Sequence, residues 1–321
     1  MEHDSKTEGN TEGKGWERQT LIKLANSGLL EQRRARRWGI FFKLLTFVYL
    51  TVLLVMVVDI DYEDTDKDKK HTALVELKGV IFAGEEAGSD IVIAGLRAAF
   101  KDKNTKGVLL RINSPGGSPV QAGYIYDEIK RLRKKYPDIL VYAVIADIAA
   151  SGGYYVAAAT DKIYADKASI VGSIGVRMDS FGFVDTIEKL GIERRLLTAG
   201  EHKALLDPFL PLSATEQGHV QRLLNEFHGQ FIDVVKQGRG DRLQDDERLY
   251  SGLVWSGEES VKLGLVDAIG SAGFVSREVI GAEEVKEFTK KRDWLERFAD
   301  RIGVAMTRII ETRFLQPGPR Y

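Results

Sequence analysis

The sequence contains no cysteine, and this absence removes several kinds of chemistry at once. Disulfide bonds, thiolate catalysis and cysteine-based metal sites are all excluded. Histidine is scarce as well: the five residues of this type never show the H-E-x-x-H spacing that binds zinc. No phosphate-binding P-loop motif occurs either. The sequence therefore contains none of these signatures of a metal or nucleotide site.

A strong excess of one charge is also missing. The 321 residues include 46 Lys plus Arg and 47 Asp plus Glu, which gives a formal net charge of -1. Proteins whose main partner is a nucleic acid usually carry a basic surface, so this balance argues against such a partner. Hydrophobic residues make up 44% of the chain, enough for one or two domains with a sizeable core.

One long apolar run is present, from Trp38 to Val58, and Lys43 near one end is its only charged residue. As a helix this run would reach about 31 Å, the thickness of one hydrocarbon core. A buried core helix is the alternative, but apolar residues cover every face of the helix, which favours a membrane span over 38–58. A cleaved signal peptide is disfavoured, because a long polar segment precedes the run and no small-residue cleavage site follows it.

The charges that flank the run indicate its orientation. Segment 1–37 is polar and ends in Arg33-Arg34-Ala35-Arg36-Arg37, which predicts a cytoplasmic N-terminus at the inner membrane. Segment 59–71 then reads as a charged tether, and the rest of the chain is expected in the periplasm or outside the cell. The lysines at 67, 69 and 70 act weakly against this orientation.

From Thr72 onwards, strand patterns alternate with helix patterns, which predicts an α/β fold with much parallel pairing. The predicted strands cover 72–81, 107–112, 139–145, 161–165 and 170–178. The predicted helices cover 89–102 with Ser89 as cap, 119–136 with Ser118 as cap, and a segment opened by the capping box Ser213-Ala-Thr-Glu216. A second region begins near Ser180. An amphipathic helix is expected over 294–314, packed or in contact with another subunit.

The stretch Ala149-Ala-Ser-Gly-Gly-Tyr-Tyr155 lies between a predicted strand and a predicted helix. A serine at such a junction stands at a helix N-terminus, where free backbone N–H groups favour developing negative charge. The small neighbours allow a substrate to approach closely. Ser151 is therefore a candidate nucleophile, and a simple N-cap is the alternative.

A nucleophilic serine also needs a base and an oxyanion hole. The pair Gly116-Gly117 follows a buried strand and could direct N–H groups at a carbonyl, although Pro-Gly also marks ordinary turns. Two bases are possible. His202 would use an aspartate chosen from Asp147, Asp161 and Asp207. Lys203 precedes a mostly apolar stretch, and burial there would favour the neutral amine, which can accept a proton. A solvated loop is the alternative for both residues, and spacing does not choose between them.

Four ordered motifs resemble those of the signal peptide peptidase A family. They are Arg111-Ile-Asn-Ser-Pro-Gly-Gly117, Ala149-Ala-Ser-Gly-Gly-Tyr-Tyr155, Val171-Gly-Ser-Ile-Gly-Val176 and Thr198-Ala-Gly-Glu-His-Lys-Ala204, within roughly residues 72–270. Members of this family are membrane-bound serine proteases with a Ser-Lys dyad. Their core is similar to the Clp protease subunit and to crotonases, which implies repeated β-β-α units. The chain resembles the short, single-repeat members, and segment 1–37 matches nothing in the family.

The resemblance implies a role for each residue that matches a motif. Ser151 would be the nucleophile and Lys203 the general base, with Ser173 orienting the lysine. Gly116, Gly117 and Gly152 fall where backbone N–H groups would form the oxyanion hole, and His202 would have no catalytic role. The resemblance places the Ser-Lys peptidase domain over 72–285, with the C-terminal amphipathic helix and tail over 286–321.

The resemblance also implies partners. The substrates would be remnant signal peptides or other membrane-associated peptides. Several subunits would form a ring, and the protein would contact the lipid of the inner membrane. Two other functions stay open. A crotonase-like acyl-CoA enzyme would use the oxyanion hole without Ser151 or Lys203, and a membrane scaffold would keep the fold without catalysis. A membrane anchor argues against the first, and the presence of both residues argues against the second.

Overall fold

The structure is a computed structural model that describes residues 12–57 and 69–290. The chain divides between Lys67 and Asp68 into a unit built on one long helix and an α/β domain. The predicted amphipathic helix over 294–314 lies outside the described residues.

The described part of the first unit is one helix, α1, which runs from Glu12 to Val57. Its segment Glu31–Leu54 is long and apolar enough to cross a membrane by length and composition, with a mean hydropathy of 1.5 and no buried residues. Apolar side chains along this segment are exposed, among them Phe47 with 70% of its surface. The helix also begins well before the predicted span. Segment 31–37 is rich in arginine and glutamine, which are good helix formers, so it continues the same helix.

The α/β domain contains eight strands and seven further helices among its described residues. The strands are β1 (His71–Lys78), β2 (Thr105–Ser114), β3 (Val141–Ala150), β4 (Lys162–Ala165), β5 (Ile170–Gly172), β6 (Val254–Ser256), β7 (Ala268–Ile269) and β8 (Val285–Glu287). The helices are α2 (Ser89–Lys101), α3 (Pro119–Lys135), α4 (Gly152–Ala157), α5 (Val184–Lys189), α6 (Ala214–Arg239), α7 (Gly257–Lys262) and α8 (Ala272–Phe274). A π-helical turn, Val275–Ile280, continues α8.

All eight strands belong to one sheet with the order β6-β5-β3-β2-β1-β8. Strand β4 pairs with the first half of β3, and β5 pairs with its last three residues, so both lie on the same side of β3. Strand β7 extends the sheet from β4. Every pairing is parallel except that of β5 with β6. The prediction of an α/β fold with parallel pairing is confirmed, since helices connect the neighbouring strands β1, β2 and β3.

The two faces of the sheet are covered unequally. On one face the strand residues Leu77, Ile112 and Ile145 are fully buried against Leu96 of α2 and Ile125 of α3. The opposite face carries a smaller cluster, in which the strand residues Leu109, Tyr142, Val144 and Tyr164 pack against Val275, Ile280 and Ala282. The larger core therefore lies on the side of α2, α3 and α4, and it supports the helix that follows Ser151.

Several local predictions are confirmed, and three need correction. The hydroxyl of Ser118 accepts the N–H of Gln121 at the start of α3, and the capping box of Ser213 and Glu216 is formed. The cap of α2 is Gly88, because Ser89 is already helical. Strand β3 extends to Ala150, five residues beyond its predicted end. Strand β5 ends at Gly172 instead of Met178.

The early end of β5 has a conformational cause. Gly172 has a φ of 109° and Ser173 a φ of 51°, and neither value is compatible with an extended strand. The chain therefore leaves the sheet at this point and forms the rim of a cavity.

Helix α4 is fixed from behind by α6 and by the segment that follows α7. The phenol of Tyr154 is fully buried and donates to the carbonyl of Leu265 at 2.8 Å. The guanidinium of Arg239, also fully buried, donates to Asp267 at 2.7 Å. Burial acts to raise the pKa of Asp267, but the hydrogen bond and charge of Arg239 outweigh it and hold this pKa below its usual value. A Cβ at Gly238 would lie 2.1 Å from the carbonyl oxygen of Ala158, so only glycine allows α6 this close.

We expect acid to weaken a charge cluster that joins α2 to α3. The buried carboxylate of Glu128 accepts from Arg131 at 2.6 Å and from Arg97 at 2.7 Å. The Arg131 hydrogen bond, assisted by Arg97 and opposed by burial, lowers the pKa of Glu128 from 4.5 to about 2. Because the pKa is depressed on folding, this stabilisation is present above the unfolded value and is lost as the pH falls towards 2.

In urea unfolding experiments, Glu128→Gln should lower the free energy of unfolding at neutral pH by about 1–2 kcal/mol, since both arginines are partly exposed. The difference from wild type should shrink as the pH falls from 4.5 towards 2. The control Glu188→Gln on exposed α5 should have little effect at either pH. A Glu128→Gln penalty that is the same at low pH would contradict this account.

Candidate active site

Ser151 lies between the end of β3 and the start of α4, with φ 53° and ψ −124°. A positive φ is uncommon for a residue with a side chain and stores strain. The Ser151 N–H donates to the carbonyl of Gly172 at 2.9 Å, which ties the turn to the end of β5. The Ser151 hydroxyl makes no capping hydrogen bond. Ser151 therefore occupies the N-cap position, while its side chain remains available for chemistry.

The turn after β2 packs directly against Ser151. A Cβ at Gly116 would lie 2.6 Å from the nitrogen of Gly152 and 2.8 Å from the Cβ of Ser151. A Cβ at Gly117 would lie 2.3 Å from the carbonyl oxygen of Ile81. Both residues also have a positive φ, 96° and 151°. A side chain at Gly116 would separate this turn from the serine turn, and a side chain at Gly117 would separate it from the backbone of Ile81. Each close approach therefore requires glycine.

The structure distinguishes the three predicted oxyanion-hole residues. The N–H of Gly116 already donates to the buried hydroxyl of Ser114 at 3.1 Å. The N–H groups of Gly117 and Gly152 form no hydrogen bond with any residue that the structure describes. The two residues lie side by side at the cavity, since a Cβ on Gly152 would be 3.4 Å from the nitrogen of Gly117. Gly117 and Gly152 are thus the free donors beside Ser151.

Ser173 lies at the same cavity as Ser151. Its N–H donates to the carbonyl of Leu253 at 2.7 Å, and its φ of 51° turns the chain out of the sheet. The preceding residue, Gly172, accepts the N–H of Ser151. The fold therefore brings together two serines that are 22 positions apart in the sequence.

The cavity at Ser151 has a volume of about 840 Å³. Its lining includes the rings of Tyr155, Phe227 and Phe231 from α4 and α6. Tyr155 and Phe231 pack against each other with ring centroids 5.2 Å apart. Val80, Pro119 and Ala122 also contribute apolar lining, and Gln230 and Arg177 contribute polar groups. A cavity of this composition can hold an extended chain with apolar side chains beside the serine.

Lys203 is not brought to Ser151 within the described chain. It lies in a turn after Gly200, its side chain is exposed, and it is not among the residues that line the cavity. His202 beside it is exposed and equally remote from the lining. The structure thus places Ser151, Ser173 and the three glycines together, but it does not add either predicted base.

The aspartates required by a Ser-His scheme are engaged elsewhere. Asp147 accepts from Asn113 at 2.6 Å, Asp161 pairs with Arg133, and Asp207 accepts from Arg194 at 2.6 Å. The hydrogen bond of Arg194, followed by that of the Phe209 N–H, holds the pKa of Asp207 below its usual value. Within the described residues none of the three forms a hydrogen bond or ion pair with His202, so the histidine has no orienting carboxylate there.

The segment that carries Lys203 is unusually apolar for an exposed region. It runs from 176 to 213 and contains only the short helix α5. Leu197 has 99% of its surface exposed and Phe181 has 75%. The other exposed apolar side chains are Met178, Phe183, Leu190, Ile192, Leu196, Phe209 and Leu212. A patch of this extent is typical of a surface that another chain covers.

Sequence reasoning missed two features of the site. Ser114 was read only as part of a turn, although its buried hydroxyl holds the Gly116 N–H. Phe231 of α6 and Tyr155 of α4 both line the cavity. The sequence analysis assigns neither ring to a site, because the cavity depends on the path of the whole chain.

Together the sheet and the serine turn define a Clp protease-like α/β domain with a candidate nucleophilic serine. Residues 67–170 match the Clp protease family, and residues 132–286 match Peptidase family S49. The chain belongs to Peptidase family S49, the signal peptide peptidase A family, which confirms the resemblance seen in its motifs.

Three relatives illustrate the range of the similarity. A Na(+)/H(+) antiporter NhaA of Brucella abortus is 43% identical over 210 residues, which cover 65% of this chain and 28% of that protein. A Synechocystis protein that is provisionally assigned as a protease is 32% identical over 203 residues, which cover 63% of this chain and 71% of that protein. The chloroplastic serine protease SPPA of Arabidopsis thaliana is 32% identical over 180 residues, 56% of this chain and 26% of that protein.

The chain spans only 28% to 54% of the length of the first curated relatives that it matches. The part of the Brucella protein that is similar to this chain is little more than a quarter of its length, and its name describes the whole molecule.

The close approach of the two turns gives a direct prediction. In Gly116→Ala the new methyl group would collide with the Gly152 nitrogen and the Ser151 Cβ. Labelling of Ser151 by a fluorophosphonate should fall at least tenfold, because a shift of about 1 Å in such a site costs that much or more. The measurement is peptide mass mapping after labelling.

The matched control is Gly123→Ala on α3, where a Cβ meets nothing within 4 Å. This variant should be more stable by roughly 0.5–1 kcal/mol, because alanine is the better helix former. Its labelling should equal that of wild type. Normal labelling of Gly116→Ala would show that the two turns do not form one site.

Proposed function

We propose that the protein is a membrane-anchored serine endopeptidase that uses Ser151 and Lys203. The observation that carries the proposal is the strained turn at Ser151, whose free hydroxyl lies beside the unpaired N–H groups of Gly117 and Gly152. A nucleophile next to preorganised donors suits acyl transfer. Membership of a peptidase family and similarity to a named serine protease support the same reaction.

The proposed reaction proceeds through an acyl-enzyme. Neutral Lys203 removes the proton from the Ser151 hydroxyl, and the oxygen attacks the carbonyl carbon of a peptide bond. The N–H groups of Gly117 and Gly152 stabilise the oxyanion, an effect worth about 3–4 kcal/mol for one donor. The leaving amine takes the proton back from Lys203, and water then hydrolyses the ester to restore Ser151. Ser173, at the rim of the same cavity, would hydrogen-bond Lys203 and orient it.

The exposed position of Lys203 supports assembly of several copies. The lysine is outside the cavity, and the apolar segment 176–213 around it lacks a cover within the described chain. Contact with a second copy would bury these side chains and favour the neutral amine. We propose a homo-oligomeric ring in which segment 176–213 of one subunit brings Lys203 to Ser151 of its neighbour. A head-to-tail interface closes into a ring when the rotation between neighbouring subunits completes a full turn.

The properties of helix α1 support the proposed membrane anchoring. Its segment Glu31–Leu54 meets the length and composition of a membrane span, and four arginines stand at its N-terminal part. This arrangement supports a cytoplasmic N-terminus and an extracytoplasmic domain. The apolar rings at the cavity fit peptides with apolar side chains. We therefore propose remnant signal peptides and other membrane-associated peptides as substrates, with no metal or nucleotide in the reaction.

The base can be tested by two neighbouring substitutions in the full-length protein. Lys203→Arg keeps the charge but cannot supply a neutral amine, so peptide cleavage should fall to the level of Ser151→Ala. His202→Ala should keep most of the activity. Wild-type activity should rise with pH, because only the deprotonated lysine accepts the serine proton. A normal rate for Lys203→Arg together with an inactive His202→Ala would replace the proposal by a Ser-His mechanism.

Mixing two inactive variants tests where the base comes from. Ser151→Ala and Lys203→Ala should each be inactive as homo-oligomers. After dissociation and joint reassembly, a site built from two subunits recovers both groups in roughly a quarter of random pairings. Peptide cleavage by the mixture should rise to that fraction of wild type. If the mixture stays inactive although mixed oligomers are present by mass spectrometry, both residues of one site belong to the same chain.

A further inference from the structure

The amino ends of the parallel strands form one edge of the sheet. Ala73 of β1, Val108 of β2 and Val141 of β3 lie level across three adjacent strands. The chain therefore enters β1 about 10 Å from the start of β3, two strand spacings away. Ser151 follows the opposite end of β3. This edge is thus remote from the candidate active site and is the edge from which the domain connects to α1.

Exposed cations gather at this edge. We call the surface formed by the amino ends of β2 to β4 and by the carboxyl ends of α2 and α3 the amino-end face. Its exposed cations are Lys101, Lys103, Lys106, Lys130, Arg131, Lys134, Lys135 and Lys162. Only Arg131 pairs with a described carboxylate. The other seven form no ion pair with any described residue: Lys101, Lys103, Lys106, Lys130, Lys134, Lys135 and Lys162.

The acidic groups at this edge do not balance those lysines. Asp102 pairs with Lys286, Asp161 pairs with Arg133, and Glu128 pairs with Arg97 and Arg131. Asp138 is exposed beside the lysines, and Glu283 and Glu284 lie on the β8 side of β1, where the Glu284 carbonyl accepts the Thr72 N–H. The side of the edge near α3 therefore carries a net positive charge.

An apolar groove lies among these cations. It has a volume of about 540 Å³ and is open to solvent. Its apolar lining is Pro137, Ile139 and Leu140, and its charged lining is Lys130, Arg131 and Lys134 with the ion pair of Arg133 and Asp161. Leu140 immediately precedes β3 and exposes 44% of its surface. At the boundary of a phospholipid layer, charged headgroups lie above the first acyl carbons. Lysines around an exposed leucine fit this boundary, because the lysines can bind headgroups while the leucine contacts the acyl carbons.

We propose that the amino-end face binds anionic phospholipid headgroups of the membrane in which α1 is anchored, with Leu140 at the headgroup boundary. The inference rests on the membrane anchoring proposed above. Residues 59–70 connect the candidate span to β1 and reach at most about 40 Å, so the domain always stays near the bilayer. A domain of this size has a radius of gyration of about 17 Å, which is shorter than the maximum reach of the tether. The length of the tether therefore does not by itself select which face of the domain is turned to the bilayer. Attraction of unpaired lysines to anionic lipid would select one orientation.

The test uses full-length protein in nanodiscs of phosphatidylcholine, with and without phosphatidylglycerol. Lysine acylation is mapped by mass spectrometry at low and at high salt. With phosphatidylglycerol at low salt, labelling of Lys130, Lys134 and Lys162 should fall by roughly fivefold, the effect of one basic residue near an anionic surface. Lys167 is the internal control, because it follows the opposite end of the same strand as Lys162. Its labelling should not change.

The double substitution Lys130→Gln and Lys134→Gln should restore the labelling of Lys162 in the anionic discs. Lys167→Gln is the matched control and should leave the protection of Lys162 intact. Fluorophosphonate labelling of Ser151 should remain normal in both variants, which verifies that the domain is folded.

Three results would overturn the inference. Equal labelling in both lipids would exclude an anionic lipid contact, and protection that persists in detergent micelles would show that a second copy covers this face. Protection that is insensitive to salt would exclude a contact based on charge. Failure of the protein to co-elute with nanodiscs would overturn the membrane anchor itself. This result is distinguishable, because the lipid and salt comparisons are made only on protein that co-elutes with the discs.

Discussion

The left-handed backbone of Ser151 is the constraint on which the site depends. A non-glycine residue in such a conformation costs about 1–3 kcal/mol, so the surrounding structure must hold it. Two contacts do so: the Ser151 N–H binds the Gly172 carbonyl, and the Gly116 backbone packs against the Ser151 Cβ. Behind the turn, Tyr154 is anchored to Leu265 by a buried hydrogen bond. The strained turn places Ser151 at the end of the sheet, in the lining of the same cavity as Gly117 and Gly152.

The unusual pairing of β3 explains why these contacts meet at one point. Its first half pairs with β4 and its last three residues pair with β5, so the sheet divides just before Ser151. The division opens space for a cavity between α4, α6 and the chain after Gly172. Ser173 also turns out of the sheet here with a positive φ. One topological feature thus positions the candidate nucleophile, its proposed orienting partner and the wall of the cavity.

The domain has two ends with different chemistry. The carboxyl ends of the strands carry glycine turns, two strained serines and an apolar cavity, all features that suit the handling of a peptide. The amino ends carry unpaired lysines near the point where the chain arrives from α1. In a parallel sheet all the strands point the same way, which separates these two ends by the length of the strands. A surface that holds the domain at a membrane can therefore exist without interfering with the proposed catalytic groups.

Local sequence patterns determined most of the elements and the position of the serine turn. The apolar runs of β2 and β3, the Ser118 cap of α3 and the capping box of α6 depend on neighbouring residues, so they could be read directly. The motifs also indicated Ser151, Ser173 and the glycines. Only the tertiary structure decided that β5 ends at Gly172, that Ser114 occupies the Gly116 N–H, and that Lys203 lies outside the cavity. These features depend on contacts between segments far apart in the chain, and such contacts leave no periodic pattern in the sequence.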